Sequence, residues 1–211
     1  MRRKSGIVSS HVFEIESNQR KEGVTVNAMH HDLAEVLLDE EAIAARVGDL
    51  AAALAVRLSA AVERDEPVVL MPVLTGALVF TADLIRRLPH KLRLDVVTVS
   101  SYAGATTESR GACLRSPLPA DLPGRHVVVV DDIFDTGRTL ELLDREVRDA
   151  GAADVTSVVL LAKPARHVVS LRPDLIGFEI PDAFVVGYGL DYDGHYRNLP
   201  CIGTLRPEVI R

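Results

Sequence analysis

The chain has no tryptophan, and its aromatic content rests on four tyrosines and five phenylalanines among 211 residues. Its two cysteines, Cys113 and Cys201, stand far apart and outside any CxxC pattern. That excludes a zinc knuckle or a redox dithiol and reads as two reduced thiols. Long apolar runs are missing as well. The longest candidate, Val68 to Phe80, is broken by Pro72, Thr75 and Gly76 and is too short to cross a bilayer. Positive charge is also in short supply. Lys+Arg 24 against Asp+Glu 30 leaves a net charge of −6, the wrong sign for sequence-independent binding to nucleic acid. The opening Met1-Arg2-Arg3-Lys4 is basic, but His11, Glu14 and Glu16 follow where a secretory leader needs an apolar stretch. Together these absences predict a cytoplasmic protein with neither nucleic acid nor membrane as partner.

What is present suits a folded domain: 47% apolar and 26% charged residues. Residues 1–34 are polar and weakly patterned and read as an N-terminal arm; 35–211 read as a single domain. From Asp39 the apolar positions Ile43, Val47, Leu50, Leu54 and Leu58 recur at helical spacing, to an end near Arg64. Val68 to Met71 then reads as a buried strand, Ala77 to Leu88 as a helix and Leu92 to Ser100 as a second strand. Residues 101–125 have no apolar period and read as a long loop. The four valines 127–130 form the strongest strand, Arg138 to Ala150 a helix closed by Gly151, and Val155 to Leu161 another strand. Strands alternating with helices predict an α/β fold, an open, mostly parallel twisted sheet flanked by helices. From about residue 165 to 211 the pattern changes to Gly, Pro, Asp and aromatics, which predicts short strands and loops forming a small C-terminal hood.

The segment Val127 to Leu140, VVVVDDIFDTGRTL, carries the chemistry. An apolar strand runs into Asp131 and Asp132; Asp135, Thr136, Gly137, Arg138 and Thr139 follow, and a helix starts. In open α/β sheets, ligands sit beyond the carboxyl ends of strands. Successive N–H groups at a helix N-terminus, with two hydroxyls, make an anion cradle, and Gly137 permits the tight turn. There is no GxxxxGK[ST], so this is not a nucleoside-triphosphate loop. Adjacent carboxylates repel unless something uses them, and the vicinal hydroxyls of a ribose would. A ribose 5-phosphate unit satisfies both halves.

This segment resembles the phosphoribosyl-diphosphate (PRPP) motif of type I phosphoribosyltransferases. Over about residues 35–205 the chain is similar to the hypoxanthine-guanine phosphoribosyltransferases, purine-salvage transferases of the pentosyl type. The resemblance implies their fold and a transfer of ribose 5-phosphate from PRPP to N9 of hypoxanthine and/or guanine, with xanthine also admitted. The products would be IMP or GMP and pyrophosphate. It implies that Asp131 and Asp132 hold the ribose hydroxyls, that Asp135 to Thr139 wrap the 5-phosphate, and that Asp135 handles the N7 proton. Leu74, Thr75 and Gly76, in a loop that in the family often contains a non-proline cis peptide, would contact pyrophosphate together with Arg197. Thr75 stands where many members have Lys, and Asp131 where many have Glu. Ser101-Tyr102 would open a flexible loop that closes over the reacting centre. Lys163 would donate to the purine 6-oxo group, Phe184 stack on the base, and Val185 read its edge through the backbone. Asp191 lies in the same purine region and would help hold Mg²⁺, with Asp131 and Asp132 as further carboxylates. A homodimer or homotetramer is the implied assembly.

Two other readings share part of this pattern. A regulator on the same fold, binding RNA or a protein, would keep the PRPP motif without purine turnover; the acidic charge and the purine-type C-terminal stretch Pro173 to Leu199 argue against it. A transferase for adenine, xanthine alone or a pyrimidine would also keep the motif, against the combination of Lys163, Phe184 and Asp191.

Overall fold

The computed structural model describes residues 28–101 and 112–210, with only the backbone of Ala28 and Ser101. A four-residue helix α1 (Ala28–His31) leads into strand β1 (Leu33–Leu38). Helix α2 (Glu40–Glu63) is opened by Asp39, whose carboxylate accepts the Ala42 N–H at 2.8 Å, a side-chain cap on an otherwise unpaired donor. Then come β2 (Val68–Leu74), α3 (Leu78–Ile85), β3 (Arg93–Leu94), β4 (Val97–Ser101), β5 (Ala112–Leu114) and β6 (His126–Phe134). Helix α4 (Arg138–Asp149), β7 (Asp154–Ala162), a 3-10 turn at Pro164–Arg166, β8 (Leu175–Glu179), β9 (Val185–Val186) and β10 (Ile202–Leu205) complete the described chain.

The main sheet runs β5-β4-β2-β6-β7-β8, with β3 also on β2. Every pairing in it is parallel except β4 with β5. Parallel strands buried on both faces need apolar side chains at every position, and the valine run supplies them. Val128 and Val130 pack with Leu54, Leu58, Phe80 and Leu160 on the α2–α3 side. Val127 and Val129 pack with Leu140, Leu143 and Val147 of α4 on the other. Three antiparallel strands, β1-β10-β9, form the separate hood sheet. The Tyr188 hydroxyl ties the hood to α3 by donating to Asp83 at 2.6 Å.

The open parallel sheet expected from the sequence is present, with differences in detail. The span 92–100 is two short strands rather than one. The break at Asp95 and Val96 lies beside Pro72 of β2, which has no N–H for the ladder. The helix expected over 77–88 stops at Ile85, and 101–125 includes an edge strand, β5. Strand β6 does not end at Val130: Asp131, Ile133 and Phe134 still pair with β7. The hood takes β1 from far upstream, beginning at Leu33, while Leu175–Glu179, expected within the hood stretch, extends the main sheet as β8.

The direction of α2 is open to test. Leu54 is fully buried whereas Val56 is 75% exposed. Leu54→Ala is expected to lower unfolding stability by about 2–5 kcal/mol, and Val56→Ala to change it by less than about 0.5 kcal/mol, in urea titrations.

Candidate functional site

At the carboxyl end of β6, Asp131 is 6% exposed and Asp132 is half-buried. The Asp132 N–H donates to Asp131 Oδ1 at 3.0 Å, and the Ile133 N–H to Asp132 Oδ1 at 2.8 Å. Burial pushes the Asp131 carboxyl well above the usual carboxylate range, and the neighbouring Asp132 charge adds to that. Burial raises Asp132 too, opposed by its hydrogen bonds and by the positive charge of Arg197. Two adjacent carboxyls raised in this way are costly to ionise together without a ligand.

Four residues on, the chain turns into α4. Gly137 occupies the N-cap with φ +88°, and the Arg138 N–H lies 3.5 Å from Thr136 Oγ1. A Cβ at Gly137 would also overlap the Phe134 ring and Val169. The start of α4 borders a cavity of about 340 Å³ lined by Gly76, Asp131, Asp132, Asp135, Gly137 and Thr139, among others. Leu74 lines it too, and the Leu74–Thr75 peptide is cis. Thr75 is exposed. Gly76 lies against the Asp132 carboxylate so closely that a Cβ there would overlap it. On the other side the Gly76 carbonyl meets Gly189 of the hood, again leaving no room for a Cβ. Arg197 Nη1 donates to the Gly189 carbonyl at 2.6 Å, and Arg197 Nη2 pairs with Asp191 Oδ1 at 2.7 Å. Asp191 Oδ2 accepts the Gly194 N–H at 2.8 Å.

A second group of side chains stands beyond β7. The Lys163 N–H donates to the Phe134 carbonyl at 3.0 Å, so the lysine follows directly on the β6–β7 pairing. Lys163 is 7% exposed, and its ammonium lies 4.0 Å from Asp182 Oδ1. Arg166, one 3-10 turn later, approaches Asp135 Oδ1 with Nε at 2.6 Å; the contact is an ion pair, since the oxygen lacks an aligned hydrogen bond. Phe184 is 54% exposed and touches Tyr192 edge-on at 5.8 Å between centroids. Half of the Phe184 side chain is thus available to a ligand. Val185 is buried in β9, paired with Thr204.

Several of the residues singled out from the sequence are thus drawn together: Leu74, Gly76, Asp131, Asp132, Asp135, Thr136, Gly137 and Thr139 line the cavity, and the directly paired Arg197 and Asp191 are linked to Gly76 through Gly189, while Arg138 is exposed at the start of α4 and does not line it. Lys163 stands beside Asp182, two residues before Phe184. Ser101 ends β4, and Tyr102 lies outside the described residues. Among the described residues no group of three or more His, Cys, Asp or Glu is gathered as a ready-made metal cage. The donors that are present, two carboxyls resisting full ionisation and one carboxylate paired with an arginine, suit a hard divalent cation held mainly by substrate oxygens and water. Arg166 and Asp182 were not singled out from the sequence. Their signal is faint: the Lys163-Pro164-Ala165-Arg166 spacing matters only once Pro164 starts a 3-10 turn.

Comparison with known proteins identifies the family of the domain that carries this arrangement. The family described as phosphoribosyl transferase domain matches residues 35–193. The hypoxanthine-guanine phosphoribosyltransferase of Bacillus subtilis is 41% identical over 181 residues, 86% of this chain and 98% of that protein. A bifunctional protein TilS/HprT of Listeria innocua is 40% identical over 182 residues, but this chain spans only 27% of its length. Among solved structures, a hypoxanthine phosphoribosyltransferase from Staphylococcus aureus superposes with a TM-score of 0.80 at 39% identity, covering 88% of this chain and 98% of that one.

The carboxyl pair makes a prediction about pH. A carboxyl whose folded pKa is raised gives its full stability below the ordinary carboxylate pKa and loses it as pH rises through the folded value. Ligand-free Asp131→Asn is therefore expected to unfold at higher urea than wild type near neutral pH, with the gap closing as pH falls toward the carboxylate range. A constant gap across pH would show that burial of the charge is not its source.

Proposed function

The chain belongs to the phosphoribosyltransferase family, among the hypoxanthine-guanine phosphoribosyltransferases, and from that premise we propose how its residues carry out the reaction. The enzyme serves purine salvage: it transfers ribose 5-phosphate from PRPP to N9 of hypoxanthine and/or guanine, giving IMP or GMP and pyrophosphate. The observation that carries the assignment of roles is the shared cavity, which Asp131 and Asp132, the turn into α4, and Leu74 and Gly76 line together.

Asp131 and Asp132 accept the ribose 2- and 3-hydroxyls, whose O–H donors offset the cost of ionising the pair. The Asp135 to Thr139 loop wraps the 5-phosphate with backbone N–H groups at the positive end of α4. Backbone N–H groups of Leu74 to Gly76 and the Arg197 guanidinium balance the charge of the leaving pyrophosphate. Asp191, with Asp131 and Asp132 nearby, would hold Mg²⁺ together with substrate oxygens; bound there, the ion supplies further charge neutralisation to that leaving group. Lys163 donates to the purine O6, Phe184 stacks on the base, and Val185 reads the edge through its backbone. A donor at that place disfavours adenine, whose 6-amino group would leave the lysine unpaired. Asp135 takes the N7 proton as N9 attacks C1 of the ribose. Ser101 and Tyr102 open the loop that covers the reacting centre and keeps water from the activated ribose. We place the enzyme in the cytoplasm as a homodimer or homotetramer. No helix among the described residues is long and apolar enough to cross a membrane.

Two substitutions test these roles. Asp135→Asn is expected to lower kcat by about a hundredfold while PRPP affinity, measured by calorimetry, stays within about twofold; undiminished turnover would remove Asp135 from proton transfer. Lys163→Ala is expected to raise KM for hypoxanthine and guanine and narrow the gap to adenine. An unchanged ranking of bases in steady-state assays would overturn the role of Lys163.

A further inference from the structure

Two charged side chains outside the roles above connect the acid–base group to the base-recognition group. Arg166 reaches in two directions. Its Nε lies 2.6 Å from Asp135 Oδ1, and its Nη1 donates to Asp182 Oδ1 at 3.4 Å. The same Asp182 oxygen lies 4.0 Å from Lys163 Nζ. The four residues thus alternate in sign: Asp135, Arg166, Asp182, Lys163. The backbone around them is pinned. The Val168 N–H donates to the Thr136 carbonyl at 3.0 Å, and the His167 ring packs edge-on against Phe134 at 4.5 Å. On the opposite side, the Ala183 N–H closes a tight turn onto the Pro181 carbonyl at 2.8 Å. Arg166 therefore sits between two fixed segments, and only its planar fork can engage both carboxylates at once.

From this geometry we propose that Arg166 and Asp182 are positioning residues that couple proton transfer to base recognition. Arg166 engages Asp182 and holds it at ion-pair rather than hydrogen-bond distance from Lys163. The buried ammonium thereby keeps its N–H donors for the ligand while its charge stays partly balanced. The same guanidinium fixes the carboxylate of Asp135. Without Arg166, Asp182 is free to close on Lys163 and occupy its donors, and Asp135 loses its only ion-pair partner among the described residues. The inference rests on the roles proposed for Asp135 and Lys163.

The test is a double-mutant cycle in the full-length enzyme. Arg166→Gln is expected to raise KM for hypoxanthine and guanine and to lower kcat, each by about tenfold, with PRPP affinity within about twofold by calorimetry. Adding Asp182→Asn should recover most of the KM loss, because the group that occupies Lys163 is then neutral, while kcat stays low. Arg166→Lys keeps one charge but not the fork, so it should restore at most one of the two parameters. A crystal structure of Arg166→Gln should bring the Asp182 carboxylate to hydrogen-bond distance from Lys163 Nζ, about 2.8 Å. Unchanged KM and kcat in Arg166→Gln would overturn the proposal. So would equal losses of PRPP and purine affinity that Asp182→Asn does not relieve, since that is the mark of a general structural defect. If wild type turned over no purine, the roles of Asp135 and Lys163 would fall, and the Asp182–Lys163 distance in the variant crystal would still decide whether Arg166 holds the two apart.

Discussion

The structure is organised around two adjacent carboxyls at the end of β6, Asp131 buried and Asp132 half-buried. Asp131 and Asp132 sit where β6 is still paired on the sheet, so their backbone cannot relax away, and burial drives both toward protonation. Such a pair is a standing cost in the ligand-free protein. It becomes useful only when a partner brings donors or positive charge to both oxygen sets, as a ribose diol and a divalent cation do. Much of the rest of the site follows from keeping that pair in place. Gly76 must lack a side chain because the Asp132 carboxylate occupies the space, and Gly189 must lack one because the Gly76 carbonyl does. A contact between β6 and the β2–α3 loop is thereby passed on to the hood and, through Arg197, to Asp191.

The sheet and the turn from β6 into α4 were legible in the sequence because both are local. Val127 to Val130 can only be a buried strand, and Thr136-Gly137 before a helical period can only be a turn into a helix N-terminus. The parts that were less legible are non-local. Nothing near Leu33 signals that it will pair with Leu205. The break between β3 and β4 depends on a proline in a neighbouring strand. The three residues of β5 are too few to carry a period. The bridge from Arg166 to both Asp135 and Asp182 requires three segments to meet, and charged residues after a strand look like solvated surface until the fold brings them together.

The division of labour across the sheet is also physical. Under the roles proposed above, ribose and phosphate fall to the end of β6, where the backbone is held by the sheet, whereas the base falls to the exposed Phe184 of the hood and to Lys163 just past β7, whose ammonium has one long ion pair, 4.0 Å from Asp182. On that proposal, a rigid half for the common substrate and a looser half for the variable one would let a single cradle serve hypoxanthine, guanine or both. Discrimination would then depend on which atoms of the base can accept from Lys163 rather than on the volume of the pocket.

The most direct test of this account is a base panel. Purified enzyme with PRPP and Mg²⁺ is offered hypoxanthine, guanine, xanthine, adenine and uracil in separate reactions, and nucleotide and pyrophosphate are quantified. The account predicts stoichiometric nucleotide and pyrophosphate with hypoxanthine or guanine, and none with adenine or uracil. Five inert bases with PRPP still bound would contradict it, leaving a phosphate-binding fold without the transfer reaction.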